Sequence, residues 1–113
     1  MSVQRGEVYL TDLEPTRGKE IQKKRPAIIV SNNVINIESS IVIVCPITDA
    51  TGKNSPIHIA IDRNEGGLKK LSVAHCAQIR AIDKERLIQK NGNLTAQKMK
   101  EIDAGIKLAL SLN

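Results

Sequence analysis

The hydrophobic period of the chain changes once, near residue 95, and that change limits the folds open to it. Before it, apolar residues come in short runs that alternate or are rich in β-branched side chains, the pattern of strands. After it, Met99, Ile102, Ile106, Ala109 and Leu110 recur at spacings of three and four, the period of one helix face. This helix is predicted from about Ala96 to Leu112. Thr95 stands as its N-cap, and Leu94 and Met99 stand where a hydrophobic staple would form. The strand candidates are Glu7–Leu13, Ala27–Val30, Ile41–Cys45, Ile57–Ile61 and Leu71–Arg80. Turn chemistry separates them at Glu14–Gly18, Asn32–Asn36, Asp49–Pro56 and Asn64–Gly67. Pro26 is read as opening its strand, and Pro46 as ending the run before it. Asp83 is placed to cap a helical turn over Lys84–Arg86. Short strands followed by one amphipathic helix imply a mainly β fold, a small barrel-like sheet with the helix over an open end or flank. Residues 1–113 read as one domain with no repeat or linker.

A chain of 113 residues buries a modest share of its surface, which favours an oligomer. No stretch nears the roughly 20 apolar residues of a membrane span, and the first six residues lack a secretory apolar segment. Cys45 and Cys76 are the only cysteines and form no CxxC motif, so no zinc or redox site is expected. They read as buried free thiols of a reducing, cytoplasmic protein.

The net charge of +5 tolerates polyanions, and its distribution says more. Arg17, Lys19, Lys23, Lys24 and Arg25 fall within nine residues, opposed only by Glu20; Arg63, Lys69 and Lys70 form a second group. The first cluster is either a solvated loop or a phosphate-binding surface. Tyr9 is the only aromatic residue. That argues against surfaces that hold bases by stacking on several rings. Phosphate contacts, backbone groups and arginine planes would have to hold a nucleic acid.

No HExxH, two-metal carboxylate cluster or P-loop is present, and neither metal nor cofactor is expected. A ribonuclease needs none if the RNA's own 2′-hydroxyl is the nucleophile. The protein must then align the phosphate, move a proton and stabilise charge on the phosphorane. Arg25 suits the last task, because a planar guanidinium binds two phosphate oxygens. It stands where a basic loop meets a strand, and Pro26 biases its backbone towards the extended region. The Thr48 hydroxyl could donate to phosphate or cap a turn. His75 has the side chain best matched to proton transfer near neutrality, although its strand face is apolar. His58 reads as structural, and a two-histidine pair would need both histidines of the chain. Gln78 and Arg80 either bind bases or hydrogen-bond within the fold.

Taken in order, these segments resemble the MazF/PemK/Kid family of toxins. The likeness runs through Arg5-Gly6-Glu7-Val8-Tyr9, Asp12-Leu13-Glu14-Pro15, Gly18, Glu20, Arg25-Pro26, Val30-Ser31-Asn32, Pro46-Ile47-Thr48, Gln78 to Asp83, and Arg86-Leu87. Each piece is weak alone, and the ordered set covers almost the whole chain. The resemblance implies an SH3-like, MazF/CcdB-like barrel with a C-terminal helix, acting as a homodimer. It implies cleavage of single-stranded RNA at a short sequence, leaving a 2′,3′-cyclic phosphate and a 5′-hydroxyl. It further implies an acidic antitoxin, MazE-like or of another family, through which the toxin–antitoxin complex binds its promoter DNA. Arg25 and Thr48 match the family's catalytic arginine and its accompanying threonine or serine. Lys19, Glu20, Gln22, Lys23, Lys24, Asn32, Lys53 and Gln78 are the expected substrate-binding residues.

Two departures stand out. Family members often read Gly-Ser-Glu-Gln-x-Gly before Arg-Pro; here Ile21 replaces the glutamine and Lys23 the second glycine. The RNA sequence recognised is therefore not to be copied from any relative. Ala77 stands where some members carry Asp or Glu, and His75 where the Kid-like branch carries arginine. His75 is accordingly expected to serve in proton transfer or phosphate binding. The rival readings are a CcdB-like gyrase inhibitor and a non-catalytic RNA-binding homologue.

Overall fold

The computed structural model describes residues 2–50 and 55–113. Seven strands form one antiparallel sheet: β1 (Glu7–Asp12), β2 (Lys24–Ile29), β3 (Ile41–Asp49), β4 (His58–Ile61), β5 (Ser72–His75), β6 (Arg80–Asp83) and β7 (Leu87–Asn93). Two helices, α1 (Asn33–Glu38) and α2 (Ala96–Ala109), and 3-10 turns at Glu65–Gly67, Cys76–Gln78 and Lys84–Arg86 complete the described structure. The strands run in the order β4-β5-β3-β2-β1-β7, and β6 also pairs with β3. The mainly β architecture with a C-terminal helix matches the expectation.

β3 organises the sheet. Val44 pairs with Ile29 of β2 on one edge and with Arg80 of β6 on the other. Further along, Ile47, Thr48 and Asp49 pair with Ala74, Val73 and Ser72 of β5. Pro46 therefore does not end the strand; β3 continues through it to Asp49. The predicted strand Leu71–Arg80 is instead broken into β5 and β6. Between the pairs Ile47–Ala74 and Val44–Arg80, three steps on β3 face six on the other chain. The excess is taken up by the Cys76–Gln78 turn. Pro46 lies inside this break and has no N–H to offer a partner. The Cys76 N–H bonds the Ile57 carbonyl instead, at 3.0 Å.

Other boundaries also moved. β2 starts before Pro26, because Arg25 and Lys24 pair with Thr11 and Asp12. The expected turn at Asn32–Asn36 opens a short helix, with the Asn32 side chain accepting the Ile35 N–H at 2.9 Å. β7 was absent from the sequence reading. Its composition is polar, and it holds its place by pairing with β1 through two register shifts. The C-terminal helix is as predicted at its start, where Thr95 Oγ1 accepts the Lys98 N–H at 3.1 Å. Leu94 and Met99 are both buried. It ends at Ala109, short of Leu112.

The sheet is covered on both faces. On one, Val8, Ile28, Cys45, Ile47, Ala74 and Cys76 pack with Met99 and Ile102 of α2. On the other, Val3, Tyr9, Ala27, Ile29, Val42, Val44, Ile82 and Leu87 form a second cluster. Each such side chain contributes about 1.5–3 kcal/mol when fully buried. Two covered faces explain why β2 and β3 read as continuous apolar runs instead of alternating ones. Gly105 lets α2 sit close to the break beside β5. A Cβ there would lie 2.7 Å from Cys76 Sγ and 3.2 Å from the Pro56 carbonyl oxygen.

Cys45 and Cys76 are free and fully buried, as expected. A hydrogen bond to Cys76, together with burial, pushes the Cys45 thiol well above its ordinary range. Tyr9 is buried too, its hydroxyl donating to Glu7 Oε1 at 3.3 Å. Burial, followed by the Glu7 charge, raises its pKa. The only aromatic ring is thus committed to the core and offers no stacking surface. Among the described residues, no helix is long and apolar enough to cross a membrane.

Candidate active site

Strand register brings the chemistry together. In an antiparallel ladder, residues directly opposite each other share a face. Ala27 lies opposite Pro46, so Arg25 and Thr48, each two residues further along its strand, stand on the face that this pair shares. Thr48 lies opposite Val73, so His75, two residues along β5, stands on the same face as Thr48. His75 itself lies opposite His58. One face of the sheet therefore carries a row that crosses four strands: Arg25 on β2, Thr48 on β3, His75 on β5 and His58 on β4.

The distances bear this out. Thr48 Oγ1 is 2.7 Å from His75 Nε2. The same hydroxyl donates to the Asp49 carbonyl at 3.3 Å. Its single proton can thus point to the imidazole or away from it. His75 is 8% exposed and lies behind Thr48, its Nε2 against that hydroxyl. The rings of His58 and His75 are 5.1 Å apart and perpendicular. His58 Nδ1 in turn lies 2.6 Å from Ser55 Oγ.

Arg25 and Thr48 line one cleft with Pro26, Asp49, Lys69, Lys70 and Ser72 among others. Its three cations face one carboxylate, and Lys70 approaches Asp49 to 3.7 Å. Such a balance attracts phosphate. The Arg25 Nε donates to the Gln22 carbonyl at 3.4 Å, which ties the guanidinium to the loop before β2.

Pro46, the chain neighbour of Ile47 in the first cleft, helps to line a second one. Lys19, Glu20, Ile21, Pro46, Ala77, Gln78, Ile79 and Arg80 line it. Gln78 Oε1 accepts the Ile21 N–H at 2.8 Å, so the broken strand docks the basic loop. The base of that loop is held by arginines. Arg80 donates to the Leu13 carbonyl at 3.0 Å, and Arg86 to the carbonyls of Asp12 and Glu14. Lys23 adopts φ 71 at the point where the loop enters β2, a conformation that favours glycine.

The residues singled out from sequence therefore divide. Arg25, Thr48 and His75 meet in and behind one cleft. Lys19, Glu20 and Gln78 line the other, while Glu20 accepts the Arg17 N–H at 2.5 Å and not an Arg25 proton. Gln22 and Lys23 are exposed on the loop between, and Lys24 is exposed at the start of β2. Asn32 caps α1 and lines neither cleft. Lys53 lies outside the described residues. The sequence reading did not place Lys69, Lys70 or His58 in the site. The lysines were visible as a basic group; His58 had no signal before the β4–β5 register was known. Among the described residues, no three or more His, Cys, Asp or Glu are grouped to hold a metal ion.

Comparison with known proteins bears on this arrangement. Residues 4–110 match the family model of the PemK-like, MazF-like toxin of type II toxin–antitoxin systems. The endoribonuclease MazF of Staphylococcus epidermidis is 41% identical over 112 residues, covering 98% of this chain and 93% of that protein. A mycobacterial endoribonuclease in complex with its cognate antitoxin superimposes with a TM-score of 0.78 at 25% identity, covering 99% of this chain and 96% of the other. The MazF of Deinococcus radiodurans gives a TM-score of 0.86 at 19% identity, with 99% of each chain covered, a likeness of fold. A family match over nearly the whole length and a 41% identical endoribonuclease together establish that the chain belongs to the PemK-like, MazF-like toxins of type II toxin–antitoxin systems.

Proposed function

We propose that the protein cuts single-stranded RNA by transesterification at the Arg25–Thr48 cleft, without a metal ion. The observation that carries this reading is the shared cleft of Arg25 and Thr48, with His75 Nε2 2.7 Å behind the threonine hydroxyl. The scissile phosphate lies against Arg25, which binds two of its oxygens and stabilises the charge that grows on them. Lys69 and Lys70 hold the neighbouring phosphates. The 2′-oxygen forms a bond to phosphorus as the bond to the 5′-oxygen breaks, in an in-line geometry that a regular duplex does not offer. The 2′-proton passes to Thr48 Oγ1 while the threonine's own proton passes to His75 Nε2. The departing 5′-oxygen takes up a proton from solvent and His75 returns its proton there, so no water is consumed. The products are a 2′,3′-cyclic phosphate and a 5′-hydroxyl. Ala77 bears no proton, and this relay supplies the function that an acidic side chain there would serve.

The second cleft, with Lys19, Glu20 and Gln78, receives flanking bases and sets sequence preference. Cutting messenger RNA halts translation and growth, and a cognate acidic antitoxin neutralises the toxin by covering these basic clefts. The antitoxin-bound mycobacterial relative supports such a partner. Exposed Val34, Ile37 and Leu110 leave apolar surface for self-association, in keeping with a homodimer, whose antitoxin complex reaches promoter DNA through the antitoxin. The test is cleavage of a long, mixed-sequence RNA in EDTA with end-group analysis. Persistent cutting with cyclic-phosphate ends is expected. A strict magnesium requirement, or 3′-hydroxyl ends, would defeat the mechanism.

A further inference from the structure

We infer that His58, anchored by Ser55, is a positioning residue that holds the His75 ring on Thr48. The inference rests on the nuclease reading above and assigns a role to two residues which that mechanism does not use.

The geometry is continuous. Ser55 Oγ lies 2.6 Å from His58 Nδ1, the His58 and His75 rings meet edge to face at 5.1 Å, and His75 Nε2 lies 2.7 Å from Thr48 Oγ1. Ser55 is itself held in place. Its Oγ accepts the Ile57 N–H at 3.3 Å, and its carbonyl accepts the His58 N–H at 3.0 Å. The hydroxyl keeps a proton and a second lone pair for His58 Nδ1, so the bond persists in either tautomer of that ring.

The packing favours a positioning role over a structural one alone. His58 and His75 are a directly opposed cross-strand pair, so each ring limits the rotamers of the other. The face of β4 towards the α2 core is filled by Ile59 and Ile61. His58 stands on the other face, beside Ala60, where no apolar cluster needs it. Its ring is only half-buried. The bond to Ser55 needs a ring nitrogen and the contact with His75 needs a ring, so an apolar aliphatic residue at position 58 would fill that surface and lose both.

The test uses the full chain and three variants, His58→Ala, Ser55→Ala and His75→Ala, with the double variant H58A/H75A. H58A should lower the single-turnover cleavage rate roughly five- to twentyfold, with KM within about twofold and the melting transition retained. S55A should lower it less. In the H75A background the H58A change should have no further effect on rate, because its route runs through His75. An equal loss in both backgrounds, or an unchanged rate in the single variant, would overturn the inference. Long-range nitrogen–proton NMR of the side chains supplies a readout that needs no RNA. The chain has two histidines, so H58A leaves one imidazole to observe. Its nitrogens should change from one dominant tautomer to a mixture, whereas a spectrum matching that of His75 in the parent would refute the role. If the parent cuts no RNA, the nuclease reading fails by itself and the NMR arm alone decides this one.

Discussion

The two clefts are built from different materials. In the Arg25 cleft, Arg25, Thr48 and the His75 behind it stand on neighbouring strands, and their separations follow from ladder register. In the Gln78 cleft, the walls are a long loop, a 3-10 turn and the start of β6, joined by the bond from the Ile21 N–H to Gln78. Strand register tolerates little change, since a slip of one residue would send every side chain to the other face. A loop tolerates substitution without disturbing the sheet. Chemistry placed on the ladder and recognition placed on the loop would let cleavage specificity vary among relatives while the reaction stays the same. Ile21 and Lys23, where this chain departs from the usual loop pattern, fit that division.

The comparison breaks first at Arg25. R25A should cost about 3–4 kcal/mol of transition-state stabilisation, a loss of roughly 10²- to 10³-fold in single-turnover rate. Its melting temperature should stay within a few degrees of the parent's. A milder loss that acts on binding alone would move the chemistry out of this cleft. Thr48→Val keeps the shape and removes the hydroxyl. It should slow cleavage about 10- to 100-fold, and adding His75→Ala should change little more if the two act as one relay. Independent, additive losses would separate them.

The loop cleft should respond differently. Gln78→Ala removes the acceptor of the Ile21 N–H, at a cost of about 1 kcal/mol in stability. Its larger signature should be a changed set of cut sites on a mixed RNA, read by sequencing the ends. An unchanged set would take recognition away from this cleft. The smallest effect is expected at Lys23, whose backbone is left-handed. Lys23→Gly should raise stability by about 0.5–1 kcal/mol in denaturant titrations, while weakening RNA binding slightly through the lost charge.

Much of this was legible beforehand, and the parts that were not share a cause. The C-terminal helix was readable because its period, cap and staple are local, and all of them appear at Thr95, Leu94 and Met99. Arg25 was readable because a loop-to-strand junction and the following proline are also local. β7 escaped because its polar residues carry no hydrophobic signal, and its pairing with β1 alone defines it. The break between β5 and β6 escaped for a related reason. An unbroken apolar pattern from Leu71 to Arg80 gives no hint that β3 has too few residues to match it.

Local chemistry in the chain thus determined the classes of element, the buried thiols, the basic loop and the residue types able to handle a phosphate. Which of them meet was decided by folding. The pairing of strands far apart in sequence brings Arg25 and Thr48 to one cleft, puts His75 behind that hydroxyl, and turns His58, read from sequence as structural, to face it. Pairings of that kind depend on partners dozens of residues away, and no property of either residue alone encodes them.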